Sequence, residues 1–506
     1  MALCHFCQSW CGAGKRQKGQ CQKNQPQKDS MMKQIETDIC IIGGGSGGLS
    51  LAAGAVQMGA RVVLFEGGQM GGDCLNSGCV PSKALLAAAK AAYLANGNAA
   101  MGITNTPPNI DFAAVKVHVA DVIAQIEPHD SIARFEALGV TVIPEMAHFN
   151  GPRAVASATH HVRAKYIVIA SGSQPMLPPI PGLDQTDFHS NETIFADPEK
   201  PDHLLIIGGG PIGVEMAQAH ARLGCDVTLV EAFRIMGRDD PALVDILKQN
   251  LIKAGITLIE GVGVTNLSQT VKSGRRTITA SLANGKQLTA GHLLMAVGRK
   301  PALDGLQLAA AKIRHDAKGI VTDRRLRTSN RHVYAIGDVA GRQQFTHIAG
   351  YHAGIVIRNI LFKIPAKLDD RAVPWVTYCD PELAHVGLGL DDATARFGSD
   401  QVICLETPLS GNDRAIAERQ GEGMVKVITH KNGRILGASI LAPAAGEMIL
   451  AWSHAIATKA KIGSMASLIA PYPTYGDSSK RAAGSFFTAK LFSPATRRFV
   501  RFLLKF

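Results

Sequence analysis

The chain contains no run of about 18 apolar residues, so no membrane-spanning helix is expected. Its start is polar, with no apolar stretch ahead of a cleavage site, so a secretory signal is not expected either. None of its ten cysteines stands at the four-ligand spacing of a zinc finger, and none follows Cys404. No metal centre is therefore expected. Cysteines scattered thinly through a large chain point to a reducing compartment rather than a disulfide framework. Acidic residues are the minority, 41 against 53 basic, for a net charge of +12. Much of the excess lies in residues 1–33 and 480–506, so it belongs to the ends rather than the body. That pattern favours solubility or an acidic surface partner, and nucleic acid is not expected.

At 506 residues the chain is too long for one core, and about three domains are expected. Residues 1–32 stand apart. They hold Cys4, Cys7, Cys11 and Cys21 among Gln, Lys and Gly, with little to bury, and read as disordered. Met31-Met32 leaves two readings open: a misplaced gene start, or an arm that catches soft metals through Cys4-x-x-Cys7.

From Thr37 the pattern is strand, glycine-rich turn, helix, strand. The turn is Gly43-Gly44-Gly45-Ser46-Gly47-Gly48, and the second strand, Arg61–Phe65, ends at Glu66. The cassette recurs at Leu204–Glu231, with Gly208-Gly209-Gly210-Pro211-Ile212-Gly213 and a terminal Glu231. Such glycines let backbone amides approach a pyrophosphate at a helix N-terminus, and the acid can accept hydrogen bonds from a ribose. Two dinucleotides are expected, one per cassette. Three apolar strands end in Ser171-Gly172-Ser173, Gly298-Arg299-Lys300 and Gly337-Asp338. Strand ends of this kind are where open α/β sheets bind ligands, and Asp338 suits a polyol chain. After about Arg371, strands followed by helices read as an α+β unit without a nucleotide site.

Between the cassettes lies Gly72-Asp73-Cys74-Leu-Asn-Ser-Gly78-Cys79-Val-Pro81-Ser-Lys83. Two thiols five positions apart form a redox reagent when they close a disulfide and one is held as thiolate. Lys83 lies one helical turn beyond Cys79, on the same face.

Together these segments resemble the class I flavoprotein disulfide reductases, such as dihydrolipoamide dehydrogenase, glutathione reductase and mercuric reductase, from about Thr37 to Ala483. The resemblance implies two Rossmann-like domains and a C-terminal α+β domain that pairs two chains into a homodimer. It implies FAD at residues 33–178 with a return segment at 301–371, NAD(P)H at 179–300, and dimerisation through 372–488, leaving a basic tail at 489–506. Candidate FAD-site residues are Gly43, Gly45, Gly48, Glu66, Gly72, Lys83, Ala147, Gly172 and Asp338. Those for the nicotinamide cofactor are Gly208, Gly210, Gly213, Glu231 and Gly298. Glu231 favours NADH, because a carboxylate repels a 2′-phosphate. By the same resemblance Cys79 faces the flavin, Cys74 exchanges with substrate, and Lys83 pairs with Glu215.

One segment departs from that pattern. Where two of these enzymes carry His-Pro-Thr and then Glu, this chain has Tyr472-Pro473-Thr474 and then Asp477. Tyrosine is a poor base at neutral pH, so efficient lipoamide or glutathione chemistry is not expected. Mercuric reductase has Tyr there too, but with a cysteine pair near its C-terminus that this chain lacks. The electron acceptor is therefore a disulfide, a metal ion or another small oxidant. The tail offers an alternative: as a helix from Pro494 it gathers Phe499, Phe502, Leu503 and Phe506, with Arg497, Arg498, Arg501 and Lys505 largely elsewhere. That would suit a diaphorase passing electrons to a quinone at a membrane surface, or a helix packed on the body. A subunit of a larger assembly is a third reading. The expected location is the cytoplasm, peripheral on the membrane's inner face if the tail binds lipid.

Overall fold

The structure, a computed structural model, describes residues 32–506. The cysteine-rich extension, apart from Met32, lies outside the described residues.

The first cassette builds a sheet whose parallel part runs Thr141–Ile143, Val62–Phe65, Lys33–Ile42, His160–Ile169. Two antiparallel strands, Ala154–Ala156 and His148–Gly151, extend it. The return strand Val333–Ala335 pairs parallel with His160–Ile169, which brings residues far along the chain back to the first domain. The strands read as unbroken apolar runs because both faces are covered. Ile39, Ile41, Leu64 and Val168 enter one core, while Cys40, Ile42, Phe65 and Ile167 enter the other. The helices Ser46–Gln57 and Thr346–Ile360 close the first of these faces.

The second cassette forms a smaller parallel sheet in the order Thr257–Glu260, Asp226–Glu231, His203–Ile207, His292–Met295. Beside it stands an antiparallel meander, Val264–Lys272, Arg275–Leu282 and Gln287–Ala290, which the sequence reading did not separate from the cassette.

The C-terminal unit is a five-stranded antiparallel sheet in the order Pro374–Thr377, Glu382–Gly387, Ile435–Ala442, Met424–His430, Val402–Pro408. The helices Ala445–Ala457 and Gly476–Leu491 cover it, with Trp452 fully buried between. The fold is thus α/β, with two Rossmann-like units and an α+β unit.

Candidate active site

Both fingerprint loops have one geometry. A Cβ on Gly48 would lie 1.9 Å from the Gly43 carbonyl oxygen, and one on Gly213 would lie 1.9 Å from that of Gly208. Only glycine lets each helix start this close to its strand. The helices Ser46–Gln57 and Pro211–Arg222 begin at Gly45 and Gly210 with no side-chain cap and no acid in the first turn. Their free amides and positive ends suit a pyrophosphate. Around Gly210 there is open space, and at Gly45 only the Gly72 Cα comes near, at 3.8 Å. The residues present therefore fit two dinucleotides.

The terminal acids have a first partner that the sequence reading did not foresee. Glu66 accepts from the Gly44 and Gly68 amides, each at 2.6 Å. Glu231 accepts from the Gly209 and Phe233 amides at 2.7 and 2.9 Å. Each carboxylate holds its own glycine loop. Gly172 and Gly298 stand at strand ends as expected. Ala147 is buried among Ile143 and Phe149, so its methyl is committed to packing.

Cys74 lies in the short helix Gly72–Asn76, and Cys79 is the first residue of the helix Cys79–Ala95. Ser46 and Thr346 reach the thiol pair, and each is also the first residue of a helix. Three helix N-termini thus converge on the sulfurs, an arrangement that favours negative charge. Thr346 Oγ1 is 3.4 Å from Cys79 Sγ. The Cys79 thiol is lowered to about 6. The hydrogen bond with Cys74 does most of this, aided by Thr346 and by the charge of Lys83, against the opposing effect of burial. Cys74 moves upward, because it shares that hydrogen bond and is partly desolvated. At neutral pH the pair is polarised, with a thiolate at Cys79 and a thiol donor at Cys74. In the single chain Cys79 is exposed and Cys74 half-buried. The reason is local, since Cys79 heads its helix while Cys74 sits inside the Gly72–Asn76 turn.

Lys83 Nζ donates to Glu215 Oε2 at 2.9 Å and stands 4.4 Å over the Tyr378 ring. The Glu215 side chain is buried, and its other oxygen accepts from the Tyr378 amide at 2.9 Å. A second network holds the cysteine segment. Asp73 Oδ1 accepts from Asn191 at 2.9 Å and pairs with Arg299 at 3.1 Å. Arg299 also donates to Ser173 Oγ, which donates to Asp338 at 2.6 Å. Ser46, Thr346, Asn191 and Tyr378 were not singled out from sequence. Arg299 lay inside a marked strand end but was not assigned.

Tyr472 and Asp477 take separate partners. Tyr472 is exposed and donates to Asp413 Oδ2 at 2.8 Å, a bond that raises its pKa further. Asp477 pairs with Arg481, one turn along its own helix, at 2.5 Å. The i,i+4 partner wins because it is on the same surface stripe.

Two dinucleotide cradles beside a polarised thiol pair define a flavoprotein disulfide reductase. The chain belongs to the pyridine nucleotide-disulphide oxidoreductase family, whose description matches residues 37–353, and that family's dimerisation domain matches residues 373–483. It is an FAD-dependent NAD(P)H oxidoreductase acting on a sulfur group. A mercuric reductase of Streptomyces lividans is 35% identical over 465 residues, which cover 89% of this chain and 96% of that one. A dihydrolipoyl dehydrogenase of Pseudomonas aeruginosa is 32% identical, over 90% and 98% of the two chains. In structure the chain resembles the Cu(II) complex of RclA, an HOCl-induced flavoprotein disulfide reductase from Escherichia coli, with a TM-score of 0.79 and 28% identity over 88% and 99%. Among the described residues no helix is long and apolar enough to cross a membrane.

Proposed function

We propose that Cys74 and Cys79 are the redox couple and that the acceptor is a small oxidant, soft metal ions included, reaching Cys74 directly. The observation that carries this reading is Tyr472. Its hydroxyl is committed to Asp413, and no imidazole stands in its place to protonate a bulky thiol leaving group. In this reading the first cradle would hold FAD, which would supply the cysteine disulfide with two electrons drawn from NAD(P)H. Two electrons and one proton open that bond to a Cys79 thiolate and a Cys74 thiol. Lys83 and the helix N-termini hold the thiolate, and Glu215 positions Lys83. The pair then passes both electrons on and recloses. Steady-state NADH oxidation with Hg²⁺, Cu²⁺, lipoamide and glutathione disulfide tests the reading. Faster turnover with either disulfide than with both metal ions would overturn it.

Gly43, Gly45, Gly48, Glu66, Gly72, Ala147, Gly172 and Asp338 are assigned to FAD in this proposal. Gly208, Gly210, Gly213, Glu231 and Gly298 are assigned to the nicotinamide cofactor. Glu231, at the end of its strand, should make kcat/KM larger for NADH than for NADPH. A clear advantage for NADPH would mean that Arg234 outweighs it.

Two copies of the chain pair through residues 373–483 in this proposal. The helix Pro494–Leu503 leaves Phe499, Phe502 and Leu503 exposed beside Arg497, Arg498 and Arg501, which suits an anionic lipid surface. Light scattering reads the pairing. Co-sedimentation with phosphatidylserine vesicles reads the tail, and equal sedimentation after removal of residues 489–506 would contradict the lipid assignment.

A further inference from the structure

A second polar cluster lies in the nicotinamide-binding unit, apart from the thiol pair. His189 runs beside the strand His292–Met295, with its amide on the Leu293 carbonyl at 2.7 Å and its own carbonyl taking the Met295 amide at 2.8 Å. His292, the first residue of that strand, is 5% exposed. Neither of its ring nitrogens has a hydrogen-bond partner. One ligating atom each from His189, Asp197 and His292 lie within 4.8 Å of one another.

The finer geometry aims these atoms at a common point. His189 Nδ1 is 3.3 Å from Thr193 Oγ1, which leaves Nε2 free for the cluster. Asp197 Oδ1 accepts from the Glu199 amide at 2.9 Å, and Oδ2 turns to His189 Nε2 at 3.0 Å. His292 Nε2 is 4.0 Å from the same oxygen and 3.6 Å from Glu199 Oε2. The two imidazoles stack, with centroids 6.0 Å apart and planes at 11°. A plain His189–Asp197 ion pair would satisfy those two groups. It would leave both nitrogens of buried His292 unpaired, which folded proteins rarely tolerate.

We propose that His189, Asp197 and His292, with Glu199 as fourth ligand, bind one divalent transition-metal ion of the Zn²⁺ class. Two imidazoles and carboxylates form the borderline nitrogen and oxygen donor set such ions take. Tetrahedral ligands at zinc bond lengths sit about 3.4 Å apart, and the distances here bracket that spacing. The nearby buried ammonium of Lys116 is held by the Ile194 carbonyl at 2.6 Å and is not a ligand. Thr193 and the Glu199 amide are the outer contacts that orient ligands in such sites. The ion would staple the crossover segment between the two dinucleotide units. Asn191, two residues beyond His189, holds Asp73 and the Ser77 carbonyl, so the staple lies next to the segment that carries the thiols.

The test uses the full-length holoenzyme with its accessible thiols alkylated, so that cysteines cannot bind the probe. Zn²⁺ is the probe, with affinity read by competition against a chromophoric chelator and stoichiometry by atomic emission after desalting. The expected result is one Zn²⁺ per chain. His292→Gln and Asp197→Asn should each weaken binding at least tenfold, and Glu199→Gln severalfold, since its side chain is exposed and its loss does not threaten folding. FAD content and melting temperature without Zn²⁺ certify each variant. No Zn²⁺ retained by the alkylated wild-type chain would overturn the proposal. So would undiminished binding in variants that keep FAD and the wild-type melting temperature.

Discussion

Cys74→Ser should lower NADH-driven turnover with every acceptor by at least about 10³-fold, the scale on which a lost nucleophile acts. FAD should stay bound, because Cys74 lies in the Gly72–Asn76 turn and not in the glycine loop that forms the cradle. The substitution removes one sulfur of the couple, so no disulfide can form or reopen. Bleaching of the flavin by NADH should survive, since neither cradle loses a residue. A variant that keeps turnover with Hg²⁺ or Cu²⁺ would show that electrons leave without the thiol pair. That result would favour a diaphorase-like route.

Tyr472→His should raise turnover with lipoamide by about 10²-fold, the lower end of what general acid–base catalysis contributes. In wild type the hydroxyl at 472 donates to Asp413 and its pKa is pushed further up, so it neither takes nor gives a proton near pH 7. A histidine there would titrate near neutrality. Asp413, at 2.8 Å from the present hydroxyl, is placed to orient the ring. Asp413→Asn in the Tyr472→His background should remove most of the gain. Turnover of lipoamide by wild type as fast as its reduction by NADH would refute the argument.

The parts of the site that the sequence showed were those encoded by spacing. The glycines, Cys74, Cys79 and Lys83 each lie within one turn or one cassette, so local geometry fixed their relations before any fold was known. Lys83 and Glu215 are 132 positions apart, and only the family resemblance joined them. Thr346 is 267 positions from Cys79, and no pattern in either segment announces that their helices begin at the same point. The metal-type cluster is hidden for the same reason, because the crossover segment must lie along His292–Met295 before its ligands meet. Asp477 stands four residues before Arg481, the spacing at which helical ion pairs form, so that contact is legible in the sequence. Glu66 and Glu231 were correctly placed at strand ends. Their bonds to their own loops followed from backbone amides, which a residue pattern does not display.

The polarised pair is the centre of the account, and the pH dependence of Cys79 alkylation reads it most directly. The reduced holoenzyme is treated with iodoacetamide across a pH series, and modification at Cys79 is followed by mass spectrometry. Alkylation follows the thiolate fraction, which grows as pH rises through the thiol's pKa. The rate should climb to a plateau with a midpoint near about 6. Cys74→Ala, which removes the largest stabiliser of the thiolate, should move that midpoint upward. A wild-type midpoint near ~8.5, where an ordinary cysteine titrates, and no movement in Cys74→Ala would contradict the account.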